Sequence, residues 1–217
     1  MEAESRRILV EGGRIFGVRL DDQAVAAFDL FLRELLKWNR KINLTAIGNE
    51  EGIITKHFLD SLSLCPYLPR SISVLDIGSG AGFPGIPLKI VNSSLEVTLT
   101  DSVAKKIDFQ RHLIRTLGLR GIEAVHSRVE DRGMLPRFEN RFDYVVSRAF
   151  SDLSTFLTLS HSFLKAKGIA LAMKGGLKEE MADLFEKGKV RYRLKETVAF
   201  ILPFTSLKRT VLLFEKQ

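Results

Sequence analysis

Residues 74–85 read Val74-Leu75-Asp76-Ile77-Gly78-Ser79-Gly80-Ala81-Gly82-Phe83-Pro84-Gly85. A short apolar run leads here into a segment with glycine at alternate positions, and a helical pattern follows it. Glycine allows a tight backbone turn and a close approach of the backbone to a ligand. We therefore predict a strand, a ligand-binding loop and a helix, in that order.

Two cofactor patterns fit this loop. The spacing Asp-x-Gly-x-Gly-x-Gly resembles the loop of class I methyltransferases, whose glycine backbone contacts S-adenosyl-L-methionine. Gly80, Gly82 and Gly85 also satisfy the dinucleotide pattern Gly-x-Gly-x-x-Gly, but this match begins two residues late and has Pro84 inside it. We expect S-adenosyl-L-methionine as the cofactor, and a nicotinamide-dependent oxidoreductase is the alternative.

From residue 72 onward the chain alternates short apolar runs with helical segments. Five runs predict buried strands, at residues 74–77, 97–100, 122–125, 144–146 and 169–173. Such alternation is typical of a parallel sheet with helices on both faces. Two further strands, at about residues 191–200 and 210–215, have no helix-length segment between them and predict an antiparallel hairpin. The predicted fold class is α/β: a Rossmann-like class I methyltransferase with a seven-stranded, mostly parallel sheet and a C-terminal antiparallel hairpin.

The first third of the chain has a helical pattern without a strand signal. Apolar residues recur at helical spacing from residue 21 to residue 41, where Asp21 and Asp22 suit the N-terminal cap. A second helix is predicted at about residues 49–64. We expect an N-terminal helical extension, residues 1–65, and a methyltransferase domain, residues 66–217, that together form one continuous structural unit.

The composition indicates the class of partner and the compartment. Lys and Arg outnumber Asp and Glu by 33 to 26, and the resulting net charge of +7 favours a polyanionic partner. The single cysteine, Cys65, excludes a disulfide framework, and the four histidines lack zinc-like spacing, so we expect no metal. The sequence has no signal-peptide pattern and no apolar run long enough to cross a membrane. We therefore expect a cytoplasmic protein with no membrane partner, and a monomer.

Polar residues follow the predicted strands at the edge where open α/β folds bind ligands. Asp101 ends the second strand, where a carboxylate would meet ribose hydroxyls, and it could also cap the helix that begins near Val103. Val129 and Glu130 follow the third strand and are assigned to adenine recognition. Arg148 follows the fourth strand and is expected to face the cofactor or the substrate.

These residues resemble a specific family, the bacterial 16S rRNA (guanine-N7) methyltransferases, RsmG, also called glucose-inhibited division protein B. The resemblance spans nearly the whole chain and includes motifs beyond the general methyltransferase pattern: Lys37-Trp38-Asn39, Asn43-Leu44-Thr45, His57-Phe58-Leu59-Asp60-Ser61, the loop of residues 76–87, Asp101-Ser102, Ser127-Arg128-Val129-Glu130, Ser147-Arg148-Ala149-Phe150 and Lys174-Gly175. It implies methyl transfer from S-adenosyl-L-methionine to N7 of one guanine near the decoding centre, with 16S ribosomal RNA or the small ribosomal subunit as partner. It also implies that Gly78, Phe83, Val129, Glu130 and Arg148 contact the cofactor, although Phe83 is larger than the aliphatic residue of some members.

The residue types present agree with methylation of a ring nitrogen. Methylation at carbon 5 of a pyrimidine usually requires a cysteine nucleophile, and Cys65 lies in the predicted N-terminal helix beside Pro66. Methylation of an exocyclic amine commonly uses Asn/Asp-Pro-Pro-Tyr/Phe after the fourth strand, a motif that this chain lacks there. Guanine N7 loses no proton when it is alkylated, so alignment of the reactants is the main requirement.

Five residues are candidates for the substrate pocket. His57, Asp60 and Ser61 are spaced to share one face of the second predicted helix, where they could line a pocket or anchor the helix to the domain. Asn43 lies in the turn between the two predicted helices. Lys174, at the end of the fifth strand, could contact an RNA phosphate or stabilise the local loop.

Basic residues form three groups that, on a nucleotide-binding fold, suggest phosphate contacts: Lys37, Arg40 and Lys41; Lys105, Lys106, Arg111 and Arg115; and Arg191, Arg193 and Lys195. Each group is also compatible with an ordinary solvated surface. A methyltransferase acting on a small molecule or a protein, and a noncatalytic RNA-binding scaffold, therefore remain alternatives.

Overall fold

The computed structural model describes residues 1–128, 133–148, 152–175 and 192–217. It contains a seven-stranded sheet in the order β3-β2-β1-β4-β5-β7-β6. The strands are β1 (Ser73–Ile77), β2 (Glu96–Asp101), β3 (Ile122–His126), β4 (Phe142–Ser147), β5 (Leu164–Lys174), β6 (Tyr192–Ile201) and β7 (Lys208–Lys216). All seven strands occur where the sequence predicts them.

Strands β1 to β5 run parallel, and β7 is antiparallel to both β5 and β6. The order reverses at β1, which pairs with β2 on one side and β4 on the other. In open α/β sheets this reversal leaves a crevice at the carboxyl ends of the strands, where ligands bind. The predicted fold class, including the C-terminal antiparallel hairpin, is confirmed.

Successive side chains along the strands point to opposite faces of the sheet and enter two hydrophobic clusters. On β1, Val74 belongs to one cluster, whereas Leu75 and Ile77 belong to the other. Asp76 shares the first face with Val74. The first cluster packs under α5 (Gly85–Val91) and α6 (Ala104–Thr116), and the second packs under α7 (Met134–Phe138) and α8 (Leu153–Phe163).

The N-terminal helices join the first of these clusters. They are α1 (Ala3–Ile15), α2 (Asp22–Ile42), and a continuous helical stretch of α3 (Glu50–Ile53), a π-helical turn (Ile54–Leu59) and α4 (Asp60–Leu62). The sequence pattern did not separate α1 from its surroundings. The second predicted helix, at about residues 49–64, is present, but Cys65 lies outside it, in a 3-10 turn of residues 65–67. Within the described part of the chain, no helix is both long and apolar enough to span a membrane.

Candidate functional site: the glycine loop and the residues around it

The glycine loop leaves β1 in a conformation that requires glycine. Gly80 has a φ of 59°, in the left-handed region, and its N–H donates to Asp101 Oδ2 at 2.9 Å. Of the described residues, only Gly78 would come within reach of a Cβ atom at Gly80, through its carbonyl oxygen at 4.0 Å. The backbone at Gly80 therefore borders open space in which a ligand can lie directly against it.

Gly85 is required for a different reason, because it packs against the sheet. A Cβ atom there would lie 2.3 Å from Leu99 and 3.0 Å from Asp76 Oδ2. The same carboxylate oxygen accepts a hydrogen bond of 2.8 Å from the Gly85 N–H. This contact fixes the start of α5 on the carboxyl end of β1.

Asp76 is fully buried, and its other carboxylate oxygen, Oδ1, has no hydrogen-bond partner among the residues that the structure describes. Burial raises the pKa of Asp76 to about 7, and Asp101 adds to this effect, while the Gly85 N–H and Arg148 oppose it. A buried polar atom without a partner is uncommon in a folded protein. Asp76 Oδ1 thus marks a place beside the glycine loop where a further polar group fits.

Asp101 performs two structural roles at the end of β2. Its Oδ2 accepts from Gly80, and its Oδ1 accepts the Val103 N–H at 2.9 Å, just before α6. Lys106 Nζ lies 3.6 Å from Oδ2. A carboxylate oxygen has two acceptor positions, so these bonds leave capacity for ligand hydroxyls.

Gln110, on α6, supports the glycine loop through hydrogen bonds, a role that the sequence analysis missed. Its Nε2 donates to Ser79 Oγ at 2.8 Å and to the Gly80 carbonyl oxygen at 2.7 Å. Gln110 is fully buried on α6, three residues from both Ile107 and Leu113. A polar residue at the spacing of an apolar helix face is the signal that could have identified it.

Three rings form a stack beside the loop. Phe83 lies between Phe31, at 5.0 Å between centroids, and His57, at 4.5 Å, with the rings nearly parallel. Because the Phe83 side chain is buried in this stack, only its backbone remains to contact a ligand. The π-helical turn that carries His57 therefore packs directly onto the glycine loop.

His57 is held from its other side by the turn after α2. His57 Nε2 and Thr45 Oγ1 are 2.8 Å apart, and Asn39 exchanges two hydrogen bonds of 2.9 Å with the Thr45 backbone. His57 Nδ1 is buried and finds no hydrogen-bond partner within the described part of the chain. Burial and the nearby Arg148 lower the pKa of His57 to about 3, so the imidazole is neutral at physiological pH.

A buried carboxylate, Asp60, lies between two arginines. Arg209 Nε donates to Asp60 Oδ1 at 2.9 Å, and Arg148 Nη1 lies 3.8 Å from Asp60 Oδ2. Arg148 also donates to the Lys56 carbonyl oxygen and places its guanidinium 5.3 Å from the Phe83 ring centroid. Burial raises the pKa of Asp60, and both arginines oppose this shift. Two cations thus converge on one anion next to the glycine loop.

The other predicted pocket residues are placed differently. Ser61 is fully buried, and its hydroxyl donates to the His57 carbonyl oxygen at 2.7 Å within the helix. Asn43 is exposed and ends α2 in a left-handed conformation. Lys174 is the last residue of β5 and pairs with Thr210, the neighbour of Arg209. Val129 and Glu130, assigned to adenine, lie outside the described residues.

The predicted basic groups are partly neutralised by acidic neighbours. Arg193 and Lys195 both pair with Glu215, at 2.8 and 3.2 Å, and Lys37 lies 3.7 Å from Glu34. Other members of the groups are exposed: Arg40, Lys41, Lys105 and Arg115. Arg191 lies outside the described residues. Within the described residues, the groups therefore combine cations paired with carboxylates and cations exposed to solvent.

The single cysteine and the residue types that bind metals were also located in the described structure. Burial raises the pKa of the Cys65 thiol to about 12, so the thiolate is scarce at neutral pH. Among the residues that the structure describes, no three His, Cys, Asp or Glu side chains are placed to hold a metal ion together.

The geometry fits a nucleoside-type cofactor at the glycine loop. The open backbone at Gly80, the Asp101 carboxylate beside it and the unpartnered Asp76 Oδ1 all lie at the carboxyl edge of β1 and β2. This arrangement and the strand order define a class I methyltransferase fold. Among solved structures, a SAM dependent methyltransferase from Aquifex aeolicus shares this fold, with a TM-score of 0.57 at 16% identity over 76% of this chain and 93% of that chain.

Sequence comparisons specify the family. The family model "rRNA small subunit methyltransferase G" matches residues 24–208. A relative from Geobacter sulfurreducens, named ribosomal RNA small subunit methyltransferase G, is 46% identical over 97% of this chain and 97% of its own length. A relative of the same name from Acetivibrio thermocellus is 39% identical over 99% of this chain and 90% of its own length. The chain belongs to the rRNA small subunit methyltransferase G family, as the sequence motifs indicated.

Proposed function

We propose that this chain transfers a methyl group from S-adenosyl-L-methionine to N7 of one guanine in 16S ribosomal RNA near the decoding centre. Its membership of the family supports a ribosomal RNA substrate, and its class I methyltransferase fold supports the cofactor. The partner is 16S ribosomal RNA or the small ribosomal subunit.

One observation favours a ring nitrogen as the methyl acceptor: His57 and Asp60, the titratable groups beside Arg148 on the proposed substrate side, are poor general bases. The pKa of His57 is lowered to about 3, and Asp60 is engaged by Arg209. A general base works best when its pKa lies near the working pH and it can reach the proton. Guanine N7 presents a lone pair and releases no proton, so the reaction needs alignment rather than a base.

When bound, the cofactor supplies an electrophilic methyl group. The backbone of Gly78 and Phe83 and the carboxylate of Asp101 would hold it, with the guanidinium of Arg148 beside them. Val129 and Glu130 are proposed for the adenine from sequence position. The described loop has the required shape because glycine at position 80 leaves its backbone accessible.

The substrate side of the site consists of the residues that orient Arg148 and those that face the RNA. Asp60 is a positioning residue, because its carboxylate contacts Arg148 and Arg209. Lys174 is proposed to contact an RNA phosphate, since it lies at the carboxyl edge of the sheet. His57 supports the glycine loop by stacking on Phe83, and a pocket role for Ser61 and Asn43 is proposed from their sequence position alone.

The proposal is tested by incubating the protein with labelled S-adenosyl-L-methionine and small ribosomal subunits from a strain lacking this enzyme. The RNA is digested and the modified nucleoside is identified by mass spectrometry. A single N7-methylguanosine is expected. Three outcomes would refute the substrate assignment: label at another base, label in protein, or cofactor binding without labelled RNA in naked, precursor or subunit form. Tight NADH binding without S-adenosyl-L-methionine binding would refute the cofactor assignment.

A further inference from the structure

The hairpin between β6 and β7 presents an aromatic ring to solvent. Among the residues that the structure describes, four large apolar side chains are exposed: Ile15, Val103, Ile201 and Phe204. Phe204 is the aromatic member of this set and is 43% exposed at the tip of the hairpin. An exposed apolar side chain alone is ordinary, so its setting decides whether it has a role.

The tip that carries Phe204 is held in one conformation by four hydrogen bonds. The Leu202 N–H donates to the Leu207 carbonyl oxygen at 2.9 Å and closes the turn. The Thr205 hydroxyl donates to the Leu202 carbonyl oxygen and accepts the Leu207 N–H. The Thr205 N–H also donates to Leu202 O at 3.1 Å. Leu202 is fully buried and anchors the turn. The ring of Phe204 is therefore presented by a rigid support, with φ of 63° at its own backbone.

Two cations begin strand β7 directly after the tip, on opposite faces of the hairpin. Lys208 is exposed and pairs directly with Ile201, whereas Arg209 pairs with Phe200 and so points to the opposite face. The Phe200 ring contacts Phe16, 5.6 Å away at the end of α1. Arg209 is engaged by Asp60, so the tip combines an exposed ring with the exposed positive charge of Lys208.

The tip lies on the same edge of the sheet as the glycine loop. Strand β6 runs parallel to β5, so Ile201 ends at the carboxyl edge where Lys174 and Arg148 also lie. Strand β7 is three strands away from β1 in the sheet order, a separation of about 14 Å. A single bound RNA segment can therefore reach both places.

We propose that Phe204 is an RNA-contact residue that stacks on an unpaired base next to the target nucleotide, while Lys208 contacts the adjoining phosphate. This inference rests on the proposed function, since it deepens the description of its RNA substrate. Proteins that recognise unpaired RNA stack bases on aromatic side chains and hold the backbone with cations. The charge of the tip matches this partner, and the net charge of +7 adds to it.

The test measures RNA binding without turnover. Small-subunit RNA from a strain lacking this enzyme is titrated with the wild-type protein and with Phe204→Ala, Phe204→Leu and Phe204→Trp. We expect Phe204→Ala to weaken the Kd about tenfold, Phe204→Leu to weaken it nearly as much, and Phe204→Trp to bind like the wild type. Affinity for S-adenosyl-L-methionine should be the same in all four proteins, which shows that they are folded.

A charge control accompanies this series. Lys208→Ala should weaken RNA binding and reduce its salt dependence, whereas Arg120→Ala, an exposed cation just before β3 at the opposite edge of the sheet, should leave both unchanged. If Phe204→Leu binds RNA as tightly as the wild type, the side chain at position 204 acts through apolar packing, and the stacking role is overturned. Unchanged RNA affinity in Phe204→Ala would overturn the stacking role as well. A membrane-binding role would replace it if Phe204→Ala weakened binding to phosphatidylglycerol vesicles and left RNA binding unchanged. A wild type that binds RNA but transfers no methyl group would refute the proposed function and leave the Phe204 comparison intact.

Discussion

Arg209 Nε lies 2.9 Å from Asp60 Oδ1, although 149 positions separate the two residues in the chain. Asp60 comes from the helical stretch that precedes the sheet, and Arg209 comes from its last strand. The same carboxylate faces Arg148 after β4. This contact joins the N-terminal helices, the centre of the sheet and the C-terminal hairpin at one point beside the glycine loop.

The Asp60–Arg209 pair should make a measurable contribution to stability because it is largely shielded from water. In a double-mutant cycle with Asp60→Asn and Arg209→Met, we expect a coupling free energy of about 2–3 kcal/mol from urea unfolding. The exposed Arg193–Glu215 pair, tested with Arg193→Met and Glu215→Gln, should give less than about 1 kcal/mol. Equal coupling in the two cycles would contradict this account.

Asp76 should make stability depend on pH in a defined direction. Its pKa is raised from 3.8 to about 7, so the folded protein keeps a proton that the unfolded chain releases. The free energy of unfolding should therefore decrease by roughly 4 kcal/mol, through this group, as the pH rises from 3.8 to 7, and should then level off. The Asp76→Asn variant should not show this decrease in the free energy of unfolding.

The control for Asp76 is Asp108→Asn, at an exposed position on α6. Chemical denaturation of the three proteins across the same pH range measures the difference. A wild-type minus Asp76→Asn difference that stays constant with pH would show that Asp76 is ionised throughout.

His57 should make the free energy of unfolding depend on pH in the direction opposite to that of Asp76. Its pKa is lowered from 6.5 to about 3, so the unfolded chain binds a proton that the folded protein does not. Its contribution to stability is present above pH 6.5 and is lost, at about 1.4 kcal/mol per pH unit, as the pH falls towards 3. We expect His57→Gln to remove this acid sensitivity, whereas the same substitution at the exposed His126 should retain it. Parallel pH profiles for wild type and His57→Gln would disprove the assignment.

Gly80 offers a direct test of the cofactor position. Gly80→Ala and Gly118→Ala impose similar backbone strain, because the φ values of the two glycines are 59° and 64°. Neither added Cβ would meet a close neighbour among the described residues. Each should lower the unfolding free energy by about 1 kcal/mol. Only Gly80→Ala should weaken S-adenosyl-L-methionine binding, by more than about tenfold, since its methyl group would occupy the open space against the loop.

Isothermal titration calorimetry measures the two affinities. Equal affinity in both glycine variants would place the cofactor elsewhere, and equal loss in both would show that strain alone is responsible.

The strand pattern was predictable because it is local. The apolar runs of β1 to β5 alternate with helices, and the glycine-rich loop from Gly78 to Gly85 has few structural alternatives. The helical pattern of α2 was equally clear, with Asp21 accepting the Ala24 N–H at its start. The N-terminal helix α1 was less evident, and the π-helical turn at residues 54–59 cannot be read from residue spacing.

The site was only partly predictable. The sequence determined the fold class and the family, and it placed Asp101 and Arg148 at the carboxyl edge of the sheet, since each follows a predicted strand at its carboxyl end. The roles of Gln110 and Arg209 depended on the tertiary structure, because hydrogen bonds such as Arg209 to Asp60 form between segments far apart in the chain. The protonation states of His57 and Asp76 also depended on the tertiary structure. Burial and the neighbouring groups that folding brings together set the pKa of each residue, and the local sequence does not specify those neighbours.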